Sequence, residues 1–139
     1  MINKIILKSI LIVIIFLCNS CVENPEKDLG KGYRLGYNSR DDLGLVGPRC
    51  NIAEGPLKKI EYNLEYIVLI TKPRMKIYDM YNLKKYDYYK SEIKFKQINY
   101  FEYWIVDKRV DSIYGPFQKL EYLEKMKELN IPDSLRVDK

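Results

Sequence analysis

The sequence predicts an α+β protein: a small antiparallel β-sheet of about four to six strands, a carboxy-terminal helix packed on it, and a signal helix in front. Three observations carry that reading. Apolar and polar residues alternate from Ile60 to Leu64 and again from Phe101 to Asp107, which is the period of a strand. Gly55-Pro56 and Gly115-Pro116 punctuate those runs as turns. Leu120, Tyr122, Leu123, Met126 and Leu129 recur at helical spacing near the end of the chain.

Residues 1–21 come first. Lys4 and Lys8 precede an apolar run of nine residues over 10–18, and Ser20-Cys21 follows. That layout is a secretory signal peptide, and it is too short for a spanning helix of ~20 apolar residues. The run Leu17-Cys18-Asn19-Ser20-Cys21 resembles the lipobox of bacterial lipoproteins. The resemblance implies that Cys21 is acylated and becomes the first residue of the mature chain. Cys18 would require cleavage after the large Leu17, and it stands where a lipobox usually has Leu. Ordinary secretion is the competing reading. The expected organisation is a signal peptide at 1–20, a lipidated flexible tether at 21–32 and a single α+β domain at 33–139. The expected location is a membrane, reached through the lipid anchor, in the outer membrane of a Gram-negative bacterium. Two or more acyl chains make such an attachment stable.

Composition narrows the chemistry. The 139 residues contain no histidine, which excludes histidine-dependent catalytic triads, histidine bases and histidine-containing metal sites. With residues 1–20 removed, 22 basic residues face 19 acidic ones, too mild an excess to indicate a nucleic-acid partner. No cofactor or metal is expected. Cys50 is the one thiol left once Cys21 is acylated, so it reads either as a buried small hydrophobe or as a reactive or intermolecular thiol. Ala53 is the only alanine, and the wealth of Ile, Lys, Asn and Tyr fits an AT-rich genome.

Within the domain, Tyr33, Leu35 and Tyr37 alternate with Arg34 and Gly36 as an opening strand. Gly30, Gly32 and Gly36 do not have the spacing of a dinucleotide-binding loop. Residues 43–52, broken by Gly44, Gly47 and Pro48, read as a short edge strand or a structured loop. Residues 60–70 fit either two strands joined near 63–65 or one long bent strand. Phe101, Tyr103 and Ile105 would line one face of the best strand, with Trp104 and Val106 on the other, which places it centrally. A loop over 108–111 and a returning strand at Ile113-Tyr114 lead to a helix over 118–129. Glu121 and Lys125 support that helix at i, i+4, and Asn130 and Pro132 stop it.

Residues 72–96 carry eight basic side chains against Asp79, Asp87 and Glu92. Tyr78, Tyr81, Tyr86, Tyr88 and Tyr89 are interleaved with them. The functional reading is a basic, aromatic interaction surface centred on Lys84, Lys85, Tyr88, Tyr89 and Lys90. Its partner would be a protein or an anionic glycolipid or polymer, since lysine meets phosphate as a point charge and tyrosine stacks on sugar rings. The competing reading is a solvated hairpin or loop whose lysine stems cover the tyrosine rings.

Tyr103-Trp104-Ile105-Val106-Asp107-Lys108, then Ile113-Tyr114-Gly115-Pro116-Phe117, then Ile131-Pro132-Asp133-Ser134-Leu135 form a recurring pattern. It is similar to that of small bacterial lipoproteins of an uncharacterised family common in Bacteroidetes. Gln118 stands where the pattern leads one to expect a Ser or Thr helix cap. The family has no assigned reaction, so the resemblance implies no functional residue. Trp104, Tyr114 and Pro116 read as an aromatic platform or, structurally, as sheet core closed by a tight turn.

Function divides into three expectations. The first is a lipid-anchored, non-catalytic binding module, of which a membrane-anchored immunity or inhibitor protein is a narrower form. The second is an envelope-polymer hydrolase, which needs two carboxylates roughly 5–10 Å apart. Asp41, Asp42, Glu61, Glu65, Asp107 and Asp111 are the available acids, and their spacing selects no pair. The third is an accessory subunit of an outer-membrane assembly.

Overall fold

The computed structural model describes residues 27–37, 43–49 and 55–139. Residues 1–20, expected as a signal peptide, and Cys21, Asp41, Asp42 and Cys50 lie outside the described residues. The fold is α+β, as its alternating and helical patterns foretell. Among the described residues, seven strands form two antiparallel sheets, one of three strands and one of four, rather than a single sheet.

The larger sheet orders β4 (Leu57–Tyr62), β5 (Tyr66–Thr71), β6 (Glu102–Asp107) and β7 (Ser112–Phe117) sequentially. Residues 60–70 are therefore a hairpin, and Asn63 makes its turn by accepting the backbone N–H groups of Glu65 and Tyr66 at 2.8 and 2.7 Å. β5 is buried along its whole length, so its near-continuous run Tyr-Ile-Val-Leu-Ile reflects cover on both faces. Tyr66, Val68 and Ile70, with Ile105, face the carboxy-terminal helix and tail. Ile67, Leu69 and Val106 face the smaller sheet. The register pairs Val68 with Ile105 and Leu69 with Trp104. A slip of one residue would exchange the two cores, which is why the pairing is well specified.

The smaller sheet is β1 (Lys27–Gly30), β2 (Tyr33–Tyr37) and β3 (Leu43–Val46), with β3 at an edge. Its Leu29, Tyr33, Leu35 and Leu45 supply the second layer of that core. β1 corrects the expectation of a flexible tether over 27–32: these described residues form a strand and a tight turn, and Leu29 is 3% exposed. The glycines that read as flexible linker make a tight turn instead. Gly30, Lys31 and Gly32 all take positive φ, and Asp28 Oδ1 accepts the Gly30 N–H at 2.8 Å.

Helix α3 (Lys119–Glu128) covers the other face of the larger sheet with Tyr122 and Met126. Gln118 substitutes for the expected hydroxyl cap, and its N–H donates to Glu121 Oε2 at 2.9 Å. Glu121 is thereby committed to the cap, so the expected pairing with Lys125 gives way to an ion pair of Lys125 with Glu128 at 2.7 Å. The stop is a Schellman arrangement: Asn130 at positive φ donates to Lys127, and Ile131 donates to Met126. The tail then runs through a 3₁₀ turn (Asp133–Leu135) that buries Ile131, Leu135 and Val137 against the sheet.

Residues 72–96, for which a solvated hairpin or loop is the competing reading, are largely helical. α1 (Arg74–Met80), a 3₁₀ turn (Leu83–Lys85) and α2 (Tyr88–Gln97) form an arm between β5 and β6. The arm has its own core of Ile77, Leu83 and Phe95, flanked by Tyr78, Tyr86, Ile98 and Tyr100.

Candidate functional site

The arm owes its shape to a few polar links. Asp87 caps α2, its Oδ1 accepting the Lys90 N–H at 3.1 Å. Ser91 Oγ donates to the Leu83 carbonyl oxygen at 2.8 Å, which ties α2 to the 3₁₀ turn. Arg74 pairs with Glu92, lies 4.4 Å over the Phe95 ring, and shares Glu92 with the Tyr78 hydroxyl at 2.5 Å. Burial, and then the hydrogen bond to Glu92, raises the Tyr78 pKa.

Two lysines fasten the arm to the sheet. Lys76 Nζ donates to the buried Glu102 of β6 at 2.6 Å, and that bond raises the ammonium's pKa. Lys72 is buried; its Nζ donates to the Lys96 carbonyl oxygen at 3.2 Å and lies 4.7 Å from the Phe95 ring centre. Desolvation, followed by the nearby charges of Lys58 and Arg74, lowers its pKa.

The five singled-out residues all lie on this arm, in four separate settings. Lys84 pairs with Asp79 of α1 at 2.6 Å. Lys85 lies 5.1 Å over the Tyr86 ring, and Lys94 of α2 lies 4.9 Å over the same ring. Tyr88 and Tyr89 meet edge to face at 5.7 Å and are 72% and 79% exposed. Lys90 turns back to its own cap residue, Asp87, at 3.6 Å. The fold thus brings Lys85 together with Lys94 and Tyr88 with Tyr89, but it does not gather Lys84, Lys85 and Lys90 at one point.

The charge pattern alone passed over Met75, Met80 and Ile93, all solvent-exposed on the arm. Helical spacing of Tyr89 and Ile93 is the signal for the last of these, and it is visible only once the segment is read as a helix.

The remaining candidates serve architecture. Asp107 is buried and gripped by Arg109 through Nε at 3.0 Å and Nη2 at 2.7 Å, so its carboxyl is held below the usual range. The same guanidinium lies 4.6 Å over the Tyr66 ring. Asp111 accepts the Tyr33 hydroxyl and pairs with Arg49 at 3.3 Å. Glu65 stands in the exposed β4–β5 turn. Trp104 Nε1 donates to Thr71 Oγ1 at 3.1 Å, and Gly115 lies so close that a Cβ there would sit 3.0 Å from the indole. Trp104 and Tyr114 accordingly pack into the two cores rather than forming a platform. A shallow depression of about 350 Å³ on the smaller sheet is lined by Asp28, Gly32, Tyr33, Arg34, Gly47 and Pro48. Among the described residues, no three Cys, Asp or Glu side chains cluster as a metal would require.

A family model described as a protein of unknown function, DUF3997, matches residues 57–139. The chain belongs to the DUF3997 family. The match starts at the first residue of β4 and takes in the four-stranded sheet, the arm, α3 and the tail. Both the Tyr-Trp-Ile-Val-Asp-Lys strand and the Ile-Pro-Asp-Ser-Leu tail fall within the DUF3997 region, whereas β1–β3 precede it. No curated protein and no solved structure matched this DUF3997 chain.

Proposed function

We propose that this protein is a lipid-anchored component of the bacterial cell envelope, acting as a non-catalytic interaction module through the outer surface of the helical arm. One observation carries the choice of surface. Of the eleven large hydrophobic side chains exposed among the described residues, six are on the arm: Met75, Met80, Tyr81, Tyr88, Tyr89 and Ile93. Scattered exposed apolar residues need no explanation, but this concentration, interspersed with lysines, fits a contact surface. Tyrosine and methionine are also residues that binding surfaces favour.

The anchor is proposed at Cys21, on the layout of residues 1–21 and its likeness to a lipobox. Among the described residues no helix is long and apolar enough to cross a membrane. A lipid on Cys21, only six residues before Lys27, would keep the domain close to the bilayer. The non-catalytic reading is supported by the commitments of Asp107 to Arg109 and of Asp111 to Tyr33 and Arg49, which leave both carboxylates serving structure.

The test is affinity capture from cell envelopes with the acylated protein, beside Cys21→Ser and a Lys84→Glu/Lys85→Glu/Lys90→Glu variant. Capture of one component by the wild type, lost in the triple variant, is the expected result. Equal capture by both would remove the arm from the interaction. Firm membrane attachment of Cys21→Ser would refute the anchor.

A further inference from the structure

We infer that the arm's partner is an anionic lipid bilayer, met by the solvent side of α2; this rests on the proposal that the arm is the contact face. At 3.6 residues per turn, Tyr89, Ile93 and Gln97 form a stripe with Lys90 and Lys96 on its flanks, an arc of about 120°. The arc lies opposite Ser91 and Phe95, which α2 buries in the arm's core. Ile93 is 58% exposed, an aliphatic side chain held in water beside the exposed Tyr89.

No acid occupies the arc. Glu92 falls outside it, engaged by Arg74 and Tyr78. Asp87 precedes the helix as its cap, and its pairing with Lys90 at 3.6 Å is between exposed groups, a weak contact that a lipid phosphate can replace. Lys94 lies as far beyond one end of the arc as Glu92 lies beyond the other, and it is held over the Tyr86 ring.

This residue set fits a bilayer better than a protein partner. Protein interfaces favour arginine and are depleted in lysine, and the arc's cations are all lysine. A bilayer accepts the same set in layers. Ile93 and the Tyr89 ring enter the acyl boundary, the phenol stays at headgroup level, and the lysine stems run up to ammoniums among phosphates. An anchored domain needs only weak surface affinity to adopt such a pose, because the anchor already holds it at the membrane.

The experiment uses the full chain reconstituted into vesicles of phosphatidylcholine, with and without phosphatidylglycerol, and follows backbone hydrogen exchange over 88–97. Slower exchange in the anionic vesicles alone is expected. Lys90→Gln and Lys96→Gln should each weaken surface docking about fivefold. Ile93→Asp should restore fast exchange in α2 while the amides of β5 and β6 stay protected, which shows that the fold survives. Equal exchange in both vesicle types overturns the inference, as does slowing that all three variants retain. Slowing that requires an added envelope protein also overturns it and assigns the face to that protein, leaving the contact-face proposal intact. An arm indifferent to lipid and envelope proteins alike overturns both.

Discussion

The ammonium of Lys108 lies 2.7 Å from the carbonyl oxygen of Leu29, a residue 79 positions earlier in the other sheet. The same nitrogen donates to the Asn63 carbonyl oxygen at 2.6 Å, and Lys31 Nζ donates to the Lys108 carbonyl oxygen at 3.1 Å. One buried lysine therefore fastens the β6–β7 loop to both the β4–β5 turn and the smaller sheet. The most motif-like run in the chain ends in this latch, so its distinctiveness has a structural cause.

Lys108→Met should keep the aliphatic stem but leave two carbonyl groups without their donor. The expected loss is ~2–3 kcal/mol of unfolding free energy, read from urea denaturation. A change below ~0.5 kcal/mol would show that water replaces the ammonium without cost.

Gly115→Ala should be similarly damaging for a different reason. Its φ is +129°, and an added Cβ would lie 2.8 Å from the Tyr103 carbonyl oxygen and 3.0 Å from the Trp104 ring. Strand backbone cannot yield here without disturbing the β6–β7 pairing. A loss of about 2–4 kcal/mol is expected, seen as a lowered thermal midpoint. An unchanged midpoint would contradict the close packing of Gly115 on Trp104.

Phe95→Ala should unravel the arm more than the sheets. Phe95 packs with Ile77 and Leu83 and lies beneath both Lys72 and Arg74. The truncation should cost about 3–5 kcal/mol, concentrated in the arm. Hydrogen exchange should accelerate over 74–97 while β5 remains protected. Uniform acceleration in both would mean that the arm is not a separate cooperative unit.

Asp138 and Tyr122 set opposite ends of the pH range. Bidentate contact with Arg136, then Lys119, holds the buried Asp138 carboxyl down to about 2 from an ordinary 3.8. The unfolded chain takes up that proton first. The contribution is therefore full above pH ~4 and is lost as pH falls toward ~2. Screening of the exposed cations limits it to about 1–2 kcal/mol. Asp138→Asn should flatten this acid limb in a stability titration. Burial pushes the Tyr122 phenol up to about 12. The unfolded chain loses that proton first, near pH 10, so stability falls as pH rises from ~10 to ~12. Tyr122→Phe should remove that alkaline limb, at the cost of the hydrogen bond from the Val137 N–H.

The sequence disclosed the elements whose partners repeat within a single segment. β6 showed both its faces because Tyr103 and Ile105 alternate with Trp104 and Val106, and each set meets its own core. α3 was legible for the same reason, through Tyr122 and Met126 at i, i+4. The arm was not, because its core draws one residue from each of three short helices, Ile77, Leu83 and Phe95, and no one helix shows a period. β1 was hidden because it buries only Leu29, between turn glycines and charges. The candidate surface was half legible. Its lysines and tyrosines stand out by composition, but the exposed Ile93 and the pairing of Lys85 with Lys94 on Tyr86 depend on helical geometry.

The arm as contact face is tested most directly by placing a photo-crosslinking amino acid at position 89 or 93 in living cells, with position 120 as the control. Leu120 is 76% exposed on α3 and lies outside the arm, so it reports ordinary surface collisions. Adducts with lipid or with one discrete protein from positions 89 and 93, and none from position 120, are the expected result. Adducts from position 120 equal to or stronger than those from the arm would contradict the proposal that the arm is where this protein meets its partner.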